Sequence, residues 1–253
     1  MITKNRWLKT FSDSEEKLNE WMNKALKNEN SLLMEENIYQ NQYVKKIDYK
    51  IPDYQIFQIE EKYVVITFVF EENSFKNSFL SLKTDQNYPL QPKGVAIEEE
   101  GLTATVEFSG PQNLKLFSFA NDFFNNKDIY QNFNKQNRFY LTGWALSLEQ
   151  QLDPPEVNRP DGIKVTTAGS TILLPHQTPQ PDEYVYQLQV QDIEEFLFQD
   201  FINVIKIRTR LAVMPEGDIP LDLYVTERSL QSNYYPEKHQ DIMGVFILCC
   251  SAN

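Results

Sequence analysis

A chain of 253 residues with 24 lysines and arginines against 36 aspartates and glutamates carries a formal charge of -12, and it has only two histidines and two cysteines. Such an acid excess excludes a protein that coats nucleic acid or an anionic membrane through its net charge, and favours a basic or neutral partner recognised locally. With 41% hydrophobic and 13% aromatic residues, a chain of this size buries about three-quarters of its unfolded surface, which excludes wholesale disorder.

Cys249 and Cys250 are adjacent and cannot staple a fold, so a reducing compartment is expected. No apolar run reaches signal-peptide or membrane-spanning length, and the chain is expected to be cytoplasmic, without a membrane partner. The heavy use of Asn, Lys, Ile, Tyr and Phe suits an AT-rich, bacterial genome.

In chain order, residues 1–40 predict a helical segment. Leu18, Trp21, Met22, Ala25 and Leu26 recur on one helix face, Ser12 and Glu15 have capping-box spacing, and a second helical piece is expected over 32–38. From Tyr43 the period changes to two and the residues become β-branched and aromatic, as in Tyr63–Phe70 and Leu102–Phe108. Further strands are predicted over 54–59, 78–83, 114–120, 138–148, 164–174, 184–190, 202–213, 221–225 and 241–249. So many strands with so little room for crossover helices predict antiparallel sheets. The fold class is mainly β, a β-rich α+β chain: an N-terminal amphipathic helix, then two small OB-like barrels or a sandwich pair.

Domain boundaries follow the prolines and the charge. A β-rich domain is expected over 41–152, a proline-rich connection over 153–182, and a second β-rich unit over 183–253, its start as early as 163. Residues 1–150 carry 17 basic and 21 acidic groups, and residues 151–253 carry 7 and 15. A weak internal repeat lays Leu116–Tyr130 and Arg138–Leu148 over Leu221–Leu230 and Asp241–Leu248, with Gly143 falling on Gly244. Strand, short helical link and closing strand, with a glycine near the start of the last, resemble five-stranded barrels of the OB type in architecture.

Phosphate-loop, zinc and serine-hydrolase motifs are absent, and nothing calls for a cofactor or a metal. His176 and His239 are the candidate general bases of an enzyme built on carboxylates. Asp182, Glu183, Asp192, Glu194, Glu195 and Asp200 form an acidic span with no basic residue, a candidate face for a basic partner. Downstream, Lys206, Arg208 and Arg210 alternate with apolar residues as a basic ladder on one strand face. With Trp144 as a stacking platform, that face is the alternative ligand site, for single-stranded nucleic acid or an oligosaccharide. Tyr234 and Tyr235 are further aromatic candidates. The reading is a non-enzymatic acidic binding protein for a macromolecule, of the immunity or antitoxin-like inhibitor or assembly-factor kind. The alternatives are an OB-type binder and a carboxylate/histidine enzyme.

Overall fold

A computed structural model describes residues 7, 10, 19–20, 23, 43–47, 54–72, 74–98, 101–158, 162–199, 202–231 and 234–253. The helix expected from Ser12 to Leu26 and the piece over 32–38 lie outside the described residues, save for Asn19, Glu20 and Asn23, which are helical. The chain divides into two compact units: residues 1–83 with 197–202, and residues 84–196 with 203–253. The expected proline-rich connection thus lies inside the second unit. Among the described residues no helix is long and apolar enough to cross a membrane.

The first unit is an antiparallel meander of β1 (Tyr43–Ile47), β2 (Tyr54–Glu61), β3 (Val64–Glu71) and β4 (Ser74–Leu82). Strand β3, Val-Val-Ile-Thr-Phe-Val-Phe, is buried at every residue but its last. A run without polar alternation is what a strand covered on both faces requires.

The second unit holds ten strands in one sheet and two in a small ribbon. It opens with β5 (Asn87–Ile97), β6 (Ala104–Ser109) and β7 (Lys115–Ala120). A 3-10 turn (Phe123–Asn126) and one helical turn (Lys127–Tyr130) lead to β8 (Asn137–Gln150). Next come the ribbon of β9 (Glu156–Asn158) and β10 (Lys164–Thr166), then β11 (Ile172–Pro175), β12 (Glu183–Gln189), β13 (Asp192–Phe198), β14 (Ile202–Ala212) and β15 (Ile219–Thr226). A 3-10 turn (Glu227–Ser229) precedes the last strand, β16 (Asp241–Ala252).

Hydrogen bonding runs β5–β6–β7–β16–β8 and back to β5, which closes a five-stranded barrel. The same two strands serve a second ring: β16 also pairs with β12 and β8 with β15, which pairs with β14, itself beside β13. Strand β13 follows β12 after Val190 and Gln191 and lies at the far end of the sheet. Among the described strands β8 and β16 pair antiparallel, while β7 with β16 and β15 with β8 pair parallel, and a further parallel bridge joins Leu148 to Leu230. All-antiparallel sheets were the expectation; a strand that serves two rings meets some neighbours in the direction its other pairings dictate.

The repeat seen in the sequence has this physical form, β7–link–β8 against β15–link–β16. In the β8–β16 register Gly143 stands opposite Leu248 and Gly244 opposite Leu148, with a bulge between Val245 and Phe246. The first ring is filled by Phe108, Phe139 and Tyr130, with ring centroids 4.7 and 5.4 Å apart. The second ring contains Tyr186 and Phe246, 5.3 Å apart.

A carboxylate fastens the first link to β16. Asp122 accepts hydrogen bonds from the Tyr130 hydroxyl at 2.5 Å, the Asn126 amide at 2.7 Å and the Ala252 backbone N–H at 2.9 Å. Burial nevertheless raises its pKa above the ordinary 3.8, overcoming these hydrogen bonds, which act the other way. The folded form thus holds a proton over a range where the unfolded chain has lost it. Stability from this group is fully present below about pH 3.8 and is lost as pH rises through the folded pKa. Asp122→Asn, whose amide can donate to the Tyr130 hydroxyl, is expected to flatten the fall of unfolding free energy on the alkaline side of pH 3.8. Parallel urea titrations of the two proteins across that range measure it, and identical slopes would contradict the assignment.

Candidate binding surfaces

The acidic span is divided by the alternation of its own strands. In β12 the side chains of Tyr184, Tyr186 and Leu188 enter the core, which turns Glu183 and Gln187 the other way. That second face is covered too: the Gln187 amide donates to the Thr167 carbonyl at 2.7 Å. Glu183 accepts a hydrogen bond from the Thr178 hydroxyl at 2.9 Å, with His176 Nδ1 at 3.3 Å. Asp182 is wholly buried and Glu183 nearly so, so neither belongs to an exposed face. Asp192 and Glu195 are exposed and Glu194 is half-buried, all on β13, the end strand of the ten-stranded sheet. Asp200 lies outside the described residues. A hydrogen bond from Lys238, 2.7 Å away, holds the Asp192 carboxyl below its ordinary pKa. Burial and the neighbouring Glu195 carboxylate raise the pKa of the Tyr235 phenol.

Strand β14 alternates as its sequence predicts, with Ile205, Ile207 and Leu211 in the core. The ladder on its other face is engaged within the protein. Lys206 Nζ lies 3.0 Å from Asp222 Oδ2, and both groups are buried. Arg208 reaches Asp85 at 2.8 Å and Asp222 at 3.5 Å, and Arg210 reaches Asp218 at 3.2 Å. Asp222 also accepts from the Thr84 hydroxyl at 2.7 Å and the Gln86 amide at 3.2 Å. A carboxylate removed from water needs such a full set of partners.

Trp144 is 1% exposed and stands opposite Tyr224 and Ile247, so its ring packs in the interior and offers no stacking face. The Tyr234 hydroxyl donates to Gln240 at 2.6 Å, and burial lifts its pKa to about 12. His176 has Glu183 beside it, whereas His239 sits in an exposed turn, its N–H donating to the Val190 carbonyl. Both cysteines are buried, and burial holds the Cys250 thiol far above its usual pKa, opposite to what a nucleophile requires. Among the described residues no group of three or more His, Cys, Asp or Glu could hold a metal ion.

Two concavities open on the second unit. One, about 660 Å³, is mostly apolar and lies between Leu114 and Phe117 of the β7 region, Leu173 and Pro175 of β11, and Val213. The other, about 450 Å³, is polar and collects the starts of β5 and β8, the end of β14 and the approach to β15. Arg210 of the predicted ladder lines it; Arg138 and Asn87, which also line it, were not singled out in the sequence. Neither concavity is lined by a histidine.

Comparison with protein-family models, with characterised proteins and with solved structures returns no match.

Proposed function

We propose that the protein is a non-enzymatic cytosolic binding protein whose acid surplus recognises a basic macromolecular partner, in the manner of an immunity or antitoxin-like inhibitor. What carries the reading is how charge is spent. Lysines and arginines as far apart as Lys76, Lys115, Arg208 and Lys238 each have a carboxylate partner. In a chain of net charge -12, such pairing leaves a surplus of carboxylates to set the surface field. A field of one sign steers an oppositely charged partner and raises its association rate. The closed five-stranded barrel, with its short helical link, is compatible with an OB-type scaffold. Small barrels host many roles, so charge rather than architecture supports this function.

Protamine, as a defined cationic chain, provides the test by stopped-flow fluorescence. Its association rate is expected to fall at least about tenfold as salt rises from about 0.01 to 0.1 M, where the Debye length shrinks from about 30 to 10 Å. Combined replacement Asp192→Asn, Glu194→Gln and Glu195→Gln is expected to remove much of that salt dependence. Single-stranded DNA should not be retained tightly, because a net charge of -12 opposes a polyanion. Unchanged protamine kinetics in the triple variant, or tight retention of DNA, would overturn the proposal.

A further inference from the structure

Each carboxylate of the polar cleft already has a cationic partner, Asp85 in Arg208 and Asp218 in Arg210. Arg138 gives Nε to Asn87 Oδ1 and has no carboxylate partner among the described residues, which leaves both Nη groups of an exposed guanidinium unused by them. Arg210 spends Nη1 alone. Asn87 and Gln191 line the same cleft and carry side-chain amides. Two planar guanidinium forks with unused nitrogens at one concavity, beside the side-chain amides of Asn87 and Gln191, match a ligand that brings acceptors and negative charge.

We infer that this cleft binds a small oxyanion-bearing ligand, its phosphate or carboxylate group held between the unused guanidinium nitrogens of Arg138 and Arg210. The amides of Asn87 and Gln191 complete the ring of donors. The site is separate from the β13 carboxylates, and its chemistry is opposite in sign to the field of the chain. Arg138 is placed for this role by the first residues of β8, which pair with the first residues of β5 and so set Arg138 opposite Pro89, two residues from Asn87.

Inorganic phosphate and acetate, titrated separately against the full chain by calorimetry and by amide chemical-shift mapping, test it. Saturable binding of one or both is expected, with shifts centred on residues 86–88, 138, 191 and 210, and the better of the two identifies the ligand's acidic group. Arg138→Gln is expected to weaken binding at least about tenfold, as loss of a bidentate charged contact does. Lys135→Gln removes the same charge from an exposed position outside the cleft and should leave binding unchanged. Thermal unfolding of both variants at the wild-type midpoint would exclude loss of fold as the cause. Absence of saturable binding by either anion, shifts centred elsewhere, or equal loss in the Lys135 variant would each overturn the inference.

Discussion

Replacing Gly244 by alanine is expected to destabilise the protein by about 3 kcal/mol or more, at the upper end of what added bulk in a packed interior costs. A Cβ at this position would stand 2.1 Å from the Ser147 carbonyl oxygen and 2.8 Å from its carbon, both backbone atoms. Ser147 cannot easily yield: its carbonyl accepts the Tyr186 hydroxyl at 3.2 Å and its own hydroxyl accepts the Val245 N–H at 3.1 Å. The bulge beside Gly244 is thereby locked from both strands. Gly143 gives the contrast. Its added Cβ would meet the Leu223 Cδ1 methyl at 2.8 Å, a side-chain end that can rotate, so Gly143→Ala should cost only about 1 kcal/mol. Urea unfolding midpoints, compared at equal slope, rank the two variants. A Gly244 variant no less stable than the Gly143 variant would show that the strands meet otherwise.

The second large effect is expected at Asp222. Asp222→Ala removes the buried carboxylate 3.0 Å from the Lys206 ammonium and leaves Thr84 and Gln86 without this acceptor, which should cost about 3–5 kcal/mol. Replacing both members of the buried pair, Lys206→Met with Asp222→Leu, should recover most of that loss, because the two buried charges then leave together. Arg208 retains Asp85 in either case. A double-mutant cycle on equilibrium unfolding isolates the pairwise contribution. Additive losses in the double variant would mean that the pair is not buried as described.

These two sites differ in how legible they were in the sequence. The Gly143 and Gly244 correspondence is readable from the repeat alone, because each glycine lies inside a long strand and is followed by an apolar run. Asp222 gave no such signal. It sits in the apolar strand Leu221-Asp-Leu-Tyr-Val225, and its partners Thr84 and Gln86 are 138 and 136 residues away in sequence. Only strand order brings them together. Most strands were visible from period-two patterning, but β5 was hidden by Pro89, Pro92 and Gly94. The fold accommodates them by switching β5 from β8 to β6 along its length and by a register shift between Pro92 and Gly94. The acidic residues of β13 concealed a strand for a different reason, since solvated carboxylates mask the buried Phe196 and Phe198. Treating the span from 182 to 200 as one face failed because charge density ignores alternation. A single strand turns neighbouring side chains to opposite sides, and here both sides of β12 are covered.

The sharing of β8 and β16 also governs when the protein can fold. Residues 84–150 contain four of the five strands of the first barrel, yet its parallel closure joins Phe119 to Cys249 and Ala120 to Cys250. During synthesis, the edges of β7 and β8 that await β16 stay open until the chain has been made through residue 252. Such a connection carries a large loop-closure cost before any contact rewards it, so folding should be slow. The waiting edges are the stretch of the chain's life most exposed to aberrant strand pairing. The barrel is therefore complete only once β16, the last strand of the chain, has joined it.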